Sequence, residues 1–109
     1  MSDVVLVLST VPDDESAEKL VRTLVDERLA ACINMSSPMS STYRWQGQIE
    51  RDVERQLTIK TTRENLPALH ARLLELHSYE LPEFIVIDVS AGSSDYLAWV
   101  ARETATTRP

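Results

Sequence analysis

One thiol and two imidazoles are the side chains of this 109-residue chain best suited to metal or nucleophilic chemistry. Cys32 supplies a thiolate, which binds copper(I) and zinc and can act as a nucleophile. The sequence alone favours the alternative, a small buried strand residue, because free cysteine is among the most buried residue types. A chain with one cysteine forms no internal disulfide, so a reducing, cytoplasmic setting is predicted.

The two histidines differ in their expected surroundings. His70 and His77 are seven positions apart, so a continuous helix separates them by ~10 Å along its axis, too far for one shared ion. His70 falls among leucines and is predicted to be half-exposed on a helix. His77 falls at the helix end, and polar and aromatic residues follow it. A pairing of Cys32 with His77, oriented by Asp88 or Glu80, is the one catalytic arrangement to consider. No complete catalytic set emerges, and we predict that the chain is not an enzyme.

Charge and hydropathy restrict the class of protein. The chain has 11 Lys and Arg against 17 Asp and Glu, a formal net charge of -6, which argues against a nucleic-acid partner. The apolar run 4–8 is too short for a signal segment or a membrane span, so we expect no membrane partner. We predict one domain over residues 1–109, with a flexible polar tail at 103–109.

Hydrophobic periodicity predicts alternating strands and helices. The β-prone segments are 4–8, 31–35, 42–45, 50–61 and 84–89, and the helical segments are 14–29, 66–76 and 96–100. The order β-α-β-β-α-β with an extra C-terminal helix is that of an α+β, ferredoxin-like fold.

The first and last predicted strands are apolar on both faces, whereas two long helices can cover only one face of a sheet. The second face therefore predicts a partner, most simply further copies of the same chain. The alternative is that the terminal helix with Trp99 covers this face in a monomer. On the hairpin, Arg51 and Arg55 alternate with acidic residues, and cross-strand ion pairing is their expected role.

Five motifs, taken together and in order, resemble one family closely. The chain is similar to the CutA family of divalent-cation-tolerance proteins from Val4 to about Glu103. The motifs that carry the resemblance are Ala30-Ala31-Cys32-Ile33-Asn34, Ser41-Thr42-Tyr43-Arg44-Trp45-Gln46-Gly47, Lys60-Thr61-Thr62, His77-Ser78-Tyr79-Glu80-Leu81-Pro82-Glu83 and Tyr96-Leu97-Ala98-Trp99.

The resemblance implies a cytoplasmic homotrimer, similar to the PII signalling proteins, that acts in tolerance to copper or another divalent cation. It implies metal ligands at Cys32 and His77, with weak binding, since the first strand here lacks the cysteine that some relatives carry. An alternative is a PII-like sensor that binds a small anionic metabolite in a cleft between subunits. The residues carried over for such a ligand are Tyr43, Trp45, Lys60, Tyr79, Glu80 and Trp99. The aromatic members of this set are equally expected as interface packing.

Overall fold

A computed structural model of the chain describes residues 3–105 and confirms the α+β fold. The strands are β1 (Val4–Pro12), β2 (Cys32–Met35), β3 (Met39–Trp45), β4 (Gln48–Thr62) and β5 (Ile85–Asp88). The helices are α1 (Glu15–Asp26), α2 (Leu66–Leu76) and α3 (Ser94–Glu103), and a 3-10 turn, Arg63–Asn65, precedes α2.

All strand pairs are antiparallel, in the order β2-β4-β1-β5, and β3 also pairs with β4. The second half of β4 lies between β1 and β2. In the part of the chain that the structure describes, residues 48–53 of β4 pair only with β3. This part of β4 and β3 together form a two-stranded ribbon beyond the main sheet, which we call the arm. Because β2 and β3 act as one strand interrupted near Pro38, the sheet is ferredoxin-like.

The hydrophobic core lies between the sheet and α1 and α2. The strand residues Val7, Leu57 and Ile59 are fully buried on the helix-facing side, as are Leu24 of α1 and Leu73 of α2. The cross-strand pairs Val7–Ile59 and Ser9–Leu57 place these side chains on one face, because alternate strand residues point the same way. The regularly spaced apolar residues of the strands and helices are therefore buried together in this one layer.

The second face of the sheet is covered in part. At one end α3 packs over it, with the Lys60 ammonium 5.7 Å from the centroid of the Tyr96 ring and Val4 only 5% exposed. On the edge strand β5, Ile85 and Ile87 remain 50% and 41% exposed. The terminal helix thus covers part of this face, as one alternative predicted, and leaves an apolar surface along the β5 edge.

Asn65, the residue before α2, makes no side-chain cap hydrogen bond to the helix. It is buried instead, and donates to Thr62 Oγ1 at 2.7 Å and to the Thr104 carbonyl at 3.1 Å. In residues 3–105 none of the helices has both the length and the apolar character needed to cross a lipid bilayer.

The predicted flexible tail, 103–109, is wrong at its start. Glu103 belongs to α3, and Thr104 is 1% exposed. The Thr104 hydroxyl donates to the Val100 carbonyl at 2.8 Å, and its own carbonyl accepts from Asn65. These contacts hold the segment because they satisfy buried polar groups at the end of the helix. Residues 106–109 lie outside the described residues.

Candidate functional site

A cleft lies on the second face of the sheet, between the arm and the segment 79–85 that leads into β5. Its volume is about 770 Å³, within the usual range of ligand-binding clefts. The residues that line it are Thr10, Met39, Ser41, Tyr43, Trp45, Asp52, Glu54, Gln56, Tyr79, Glu80, Leu81, Pro82, Glu83, Phe84 and Ile85.

The arm supplies the floor of the cleft through the alternation of its strands. Tyr43 and Trp45 are two positions apart in β3, and Asp52 and Glu54 are two apart in β4, so each pair points to one face. The Tyr43 hydroxyl donates to the Asp52 carboxylate across the two strands. This bond fixes the Tyr43 ring against the floor.

His77 anchors the segment that forms the opposite wall. Its Nε2 lies 2.7 Å from the carbonyl oxygen of Thr10, and its Nδ1 lies 3.1 Å from the backbone nitrogen of Tyr79. Since the carbonyl only accepts and the backbone N–H only donates, Nε2 carries the proton and Nδ1 accepts. The ring is 9% exposed and lies 4.5 Å, centroid to centroid, from the Tyr79 ring. His77 is thus a fixing point between β1 and the wall.

Tyr79 completes the cleft by reaching from the wall to the floor. Its hydroxyl donates to Glu54 Oε2 at 2.7 Å. The pKa of Tyr79 is raised well above its ordinary value. Burial is the largest cause, and the hydrogen bond to Glu54 and the negative charge of Glu54 add to it. The phenol therefore stays neutral and keeps donating over the whole physiological pH range.

Negative charge dominates the cleft. Among the described residues, no lysine or arginine lines the cleft. The carboxylates that line it are those of Asp52, Glu54, Glu80 and Glu83. Glu54 is the most enclosed of them, at 8% exposure, and its recorded side-chain partner is the neutral Tyr79 hydroxyl. A buried carboxylate without a cationic partner is costly, so the cleft electrostatically favours a positive ligand.

The sequence predicted cross-strand ion pairs on the hairpin, and for the carboxylates of the floor that prediction is wrong. In β4 the arginines occupy odd positions and the acids even positions, so they point to opposite faces. Arg51 Nε donates to Ser40 Oγ at 2.8 Å. Arg55 Nε lies 3.1 Å from the carboxylate of Asp13, just after β1, so this arginine does form an ion pair between neighbouring strands. The spacing of Glu50, Asp52 and Glu54 at every second position already indicates, from the sequence, that these acids share one face of the strand.

The predicted ligand residues fall into two groups. Tyr43, Trp45, Tyr79 and Glu80 meet at the cleft. Lys60 lies six residues from Glu54 along β4, about 20 Å in an extended strand.

The second group lies at the α3 end of the sheet. Lys60 packs over Tyr96, whose ring centroid is 5.5 Å from that of Trp99. Lys60 and Trp99 therefore lie apart from the cleft residues with which they were grouped.

Cys32 and His77, the predicted metal ligands, are also apart. Cys32 lies in the same cross-strand row as Leu6 of β1, because both residues pair with Lys60 of β4. His77 contacts Thr10, which is four residues further along β1 than Leu6. Four strand residues span about 13 Å. Both His77 ring nitrogens already have partners, and no group of three or more His, Cys, Asp or Glu able to hold a metal ion occurs within residues 3–105. The chain by itself does not bring this pair together.

We expect the negative charge of the cleft to be measurable as a raised pKa of Tyr43. The hydrogen bond to Asp52, with burial and the charges of Asp52, Glu50 and Glu54, raises the pKa of Tyr43 to about 12. Asp52→Asn should lower it towards the ordinary value of about 10, as measured by phenolate absorbance against pH.

In the native protein this interaction is fully present below about pH 10 and is lost as the pH rises through about 12, because the folded-state pKa is the higher one. Asp26→Asn, which removes an exposed carboxylate at the end of α1, is the control and should leave the titration unchanged. Identical curves for Asp52→Asn and the native protein would contradict the assignment.

The fold and the cleft define a class of protein, a ferredoxin-like α+β domain with an acidic, aromatic-lined cleft on one sheet face. The CutA1 divalent ion tolerance protein family matches residues 5–103. The chain therefore belongs to the CutA family, as its motifs indicated.

Individual relatives agree with this assignment. The divalent-cation tolerance protein CutA of Thermus thermophilus is 41% identical over 104 residues, which cover 95% of this chain and 99% of the relative. The CutA of Pyrococcus horikoshii is 44% identical over 100 residues, which cover 92% and 97% of the two chains. Among solved structures, CutA from Xylella fastidiosa has a TM-score of 0.92 at 50% identity, covering 95% of this chain and 100% of its own.

Proposed function

We propose that this protein acts in divalent-cation tolerance as a cytoplasmic homotrimer that binds divalent cations, copper among them, weakly and without catalysis. The observation that carries cation binding is the acidic cleft, which four carboxylates line without a lysine or arginine of the described residues. Carboxylate oxygens are ligands for divalent cations. The family's name supplies the physiological context.

Weak binding follows from the ligand geometry. Tight sites arrange several ligands around one ion, and no such group of three is present in the described part of the chain. Asp52 and Glu54 are each already hydrogen-bonded by a tyrosine. A cation at the cleft must therefore share these carboxylates with the phenols.

The trimer is supported by the surface that α3 leaves uncovered. Ile85, Ile87 and Leu81 are 50%, 41% and 72% exposed. Ile85 and Ile87 point to the same face of β5, and Leu81 lines the same cleft as Ile85. Such a contiguous apolar surface is typical of an interface. A single cysteine fits the reducing cytoplasm.

An anionic ligand is less well supported than a cation. That alternative needed Lys60 beside the aromatic residues, and Lys60 lies at the other end of the sheet. Four carboxylates at the cleft would repel an anion.

Titration calorimetry with Zn²⁺ and Cu²⁺ on the reduced protein tests the proposal, with the mass measured by light scattering. We expect weak binding and a mass three times the chain's 12.3 kDa. The double variant Asp52→Asn, Glu54→Gln should weaken Zn²⁺ binding at least about tenfold, because it removes two anionic ligands. Cys32→Ala tests whether the thiol contributes to copper binding.

Glu64→Gln is the matched control, since Glu64 is an exposed carboxylate on the 3-10 turn, outside the cleft. Its titration should equal that of the native protein. Undetectable binding of both ions by the native protein would refute cation binding. Equal loss in the cleft and control variants would show that only net charge matters, and would refute the site.

A further inference from the structure

We propose that the arm of one copy docks, through the face turned away from its own cleft, against the acidic wall of the cleft of a second copy. Neighbouring subunits thereby supply arginines to each other's clefts. The inference rests on the homotrimer proposed above and names the two surfaces that meet in it. It follows from a division of charge between the two faces of the arm.

The two faces of the arm differ in charge. The face that forms the floor of the cleft carries the carboxylates of Asp52 and Glu54. The opposite face, which we call the back of the arm, carries no carboxylate in the described residues, because the acids of β4 occupy even positions. Its charged and apolar members are Arg44, Ile49, Arg51 and Val53.

The back of the arm is an exposed apolar surface flanked by two arginines. Ile49 and Val53 are 64% and 57% exposed, Arg51 lies between them in β4, and Arg44 lies opposite Ile49 in β3. Arg51 Nε donates to Ser40 Oγ at 2.8 Å, which holds the guanidinium on this face and leaves its other N–H groups available. Among residues 3–105, no carboxylate forms an ion pair with either arginine. This face therefore presents unpaired positive charge beside uncovered aliphatic side chains.

The wall of the cleft has the complementary pattern in the segment 80–83. Leu81 is 72% exposed and lies between two glutamates in the sequence. Glu80 and Glu83 form no ion pair with any described residue. The Ser9 hydroxyl donates to the Glu83 carbonyl at 2.7 Å, which fixes the segment to β1. The acidic and apolar groups of the wall are thus held in place before contact, and less conformational entropy is lost on docking.

The back of an arm cannot reach the wall of its own cleft. Arg51 and Asp52 are adjacent in β4 and point to opposite faces, and the wall lies on the Asp52 side. The wall also adjoins Ile85, which belongs to the apolar surface assigned above to the subunit interface. A second copy of the chain is therefore the occupant that brings matching basic and apolar groups to this place.

The contact joins two different surfaces and is therefore heterologous. Repeated from copy to copy, a heterologous contact forms a ring when its rotation closes, and a ring of three is the proposed trimer. Burial of the aliphatic side chains stabilises the contact, and pairing of arginine with glutamate fixes its register. Arginine is also enriched among the residues that dominate interface energies.

Charge reversal on each surface tests the contact. The arm variant, Arg44→Glu with Arg51→Glu, and the wall variant, Glu80→Lys with Glu83→Lys, should each raise the dissociation constant of the trimer at least about tenfold. Sedimentation velocity of the full chain over a dilution series measures this constant, and circular dichroism checks that each variant folds. The two variants change the net charge in opposite directions, so a loss shared by both is not an effect of net charge. Native association in either folded variant would overturn the proposal.

Lys19→Glu with Arg22→Glu is the matched control for the arm variant. Both are exposed cations of α1, outside the two surfaces, and their reversal changes the net charge by the same amount. The control should associate as the native protein does. Equal weakening in the control and the arm variant would overturn the assignment of the contact to the arm.

The fourfold variant, which combines the arm and wall reversals, provides the decisive comparison. It restores opposite charges across the contact and returns the net charge to the native value. We expect its dissociation constant to lie within about threefold of the native one, because coupled changes compensate only where the residues meet. Association as weak as in the two parent variants would overturn the proposal.

The native protein separates this inference from the proposed function. A native trimer that persists in the arm variant would refute the contact and leave the homotrimer intact. A native protein that stays monomeric would refute the homotrimer and the contact together.

Discussion

Replacing Leu73 with alanine should lower the free energy of unfolding by about 2–5 kcal/mol. Leu73 is fully buried where α2 meets the sheet, in one cluster with Leu24, Leu57 and Ile59. The substitution removes apolar contacts and leaves a cavity that neighbouring helices and strands can fill only in part. Denaturant unfolding of both proteins, at equal concentration because association shifts apparent stability, gives the difference.

Leu74→Ala is the matched control, because Leu74 is the next residue of the same helix and is 51% exposed. The chemical change and the effect on helix propensity are the same, so only burial differs. We expect a loss below about 1 kcal/mol. Equal losses for Leu73→Ala and Leu74→Ala would contradict the described orientation of α2.

His77→Ala should both destabilise the protein and loosen the wall of the cleft. The substitution removes the partners of the Thr10 carbonyl and the Tyr79 backbone N–H. Leaving such groups unsatisfied costs about 1–3 kcal/mol. Denaturant unfolding measures this loss, and amide hydrogen exchange at Tyr79 should become faster, because opening of the wall no longer requires breaking a hydrogen bond to the ring.

His70→Ala provides the control for this prediction, as His70 is the other histidine of the chain. It is exposed on α2 and stacks on Phe84 with a centroid distance of 4.2 Å. Loss of this stacking should cost at most about 1 kcal/mol and leave Tyr79 exchange unchanged. Unaltered stability and exchange in His77→Ala would show that the anchoring hydrogen bonds do not hold the wall.

Local patterns in the sequence were sufficient to predict the elements of the fold. The β-branched run at Val4 and the leucine spacing that includes Leu69 and Leu73 each indicate one type of element, because strands and helices bury residues with different periods. The ends of elements were less predictable. β1 extends to Pro12, four residues beyond the apolar run, because its pairing with β4 continues to Glu54.

The candidate site was only partly predictable. Tyr43, Trp45, Tyr79 and Glu80 were named from motif positions and do meet at the cleft. Lys60 and Trp99 were named in the same way and lie at the α3 end of the sheet. A motif shows which residues recur together in a family, but it does not show whether they occupy one site.

Sequence patterns are enough to assign the family, the order of elements and the residues of the core, since each of these depends on patterns within a segment. Which polar residues meet depends on the packing of the elements. The pairing of β3 with β4 brings Tyr43 to Asp52, and the bond of His77 to Thr10 brings Tyr79 over Glu54. These contacts join residues far apart in the chain, and their geometry depends on how strands pair and on the path of the segment before β5, whereas local periodicity shows only which face of its own element a residue occupies.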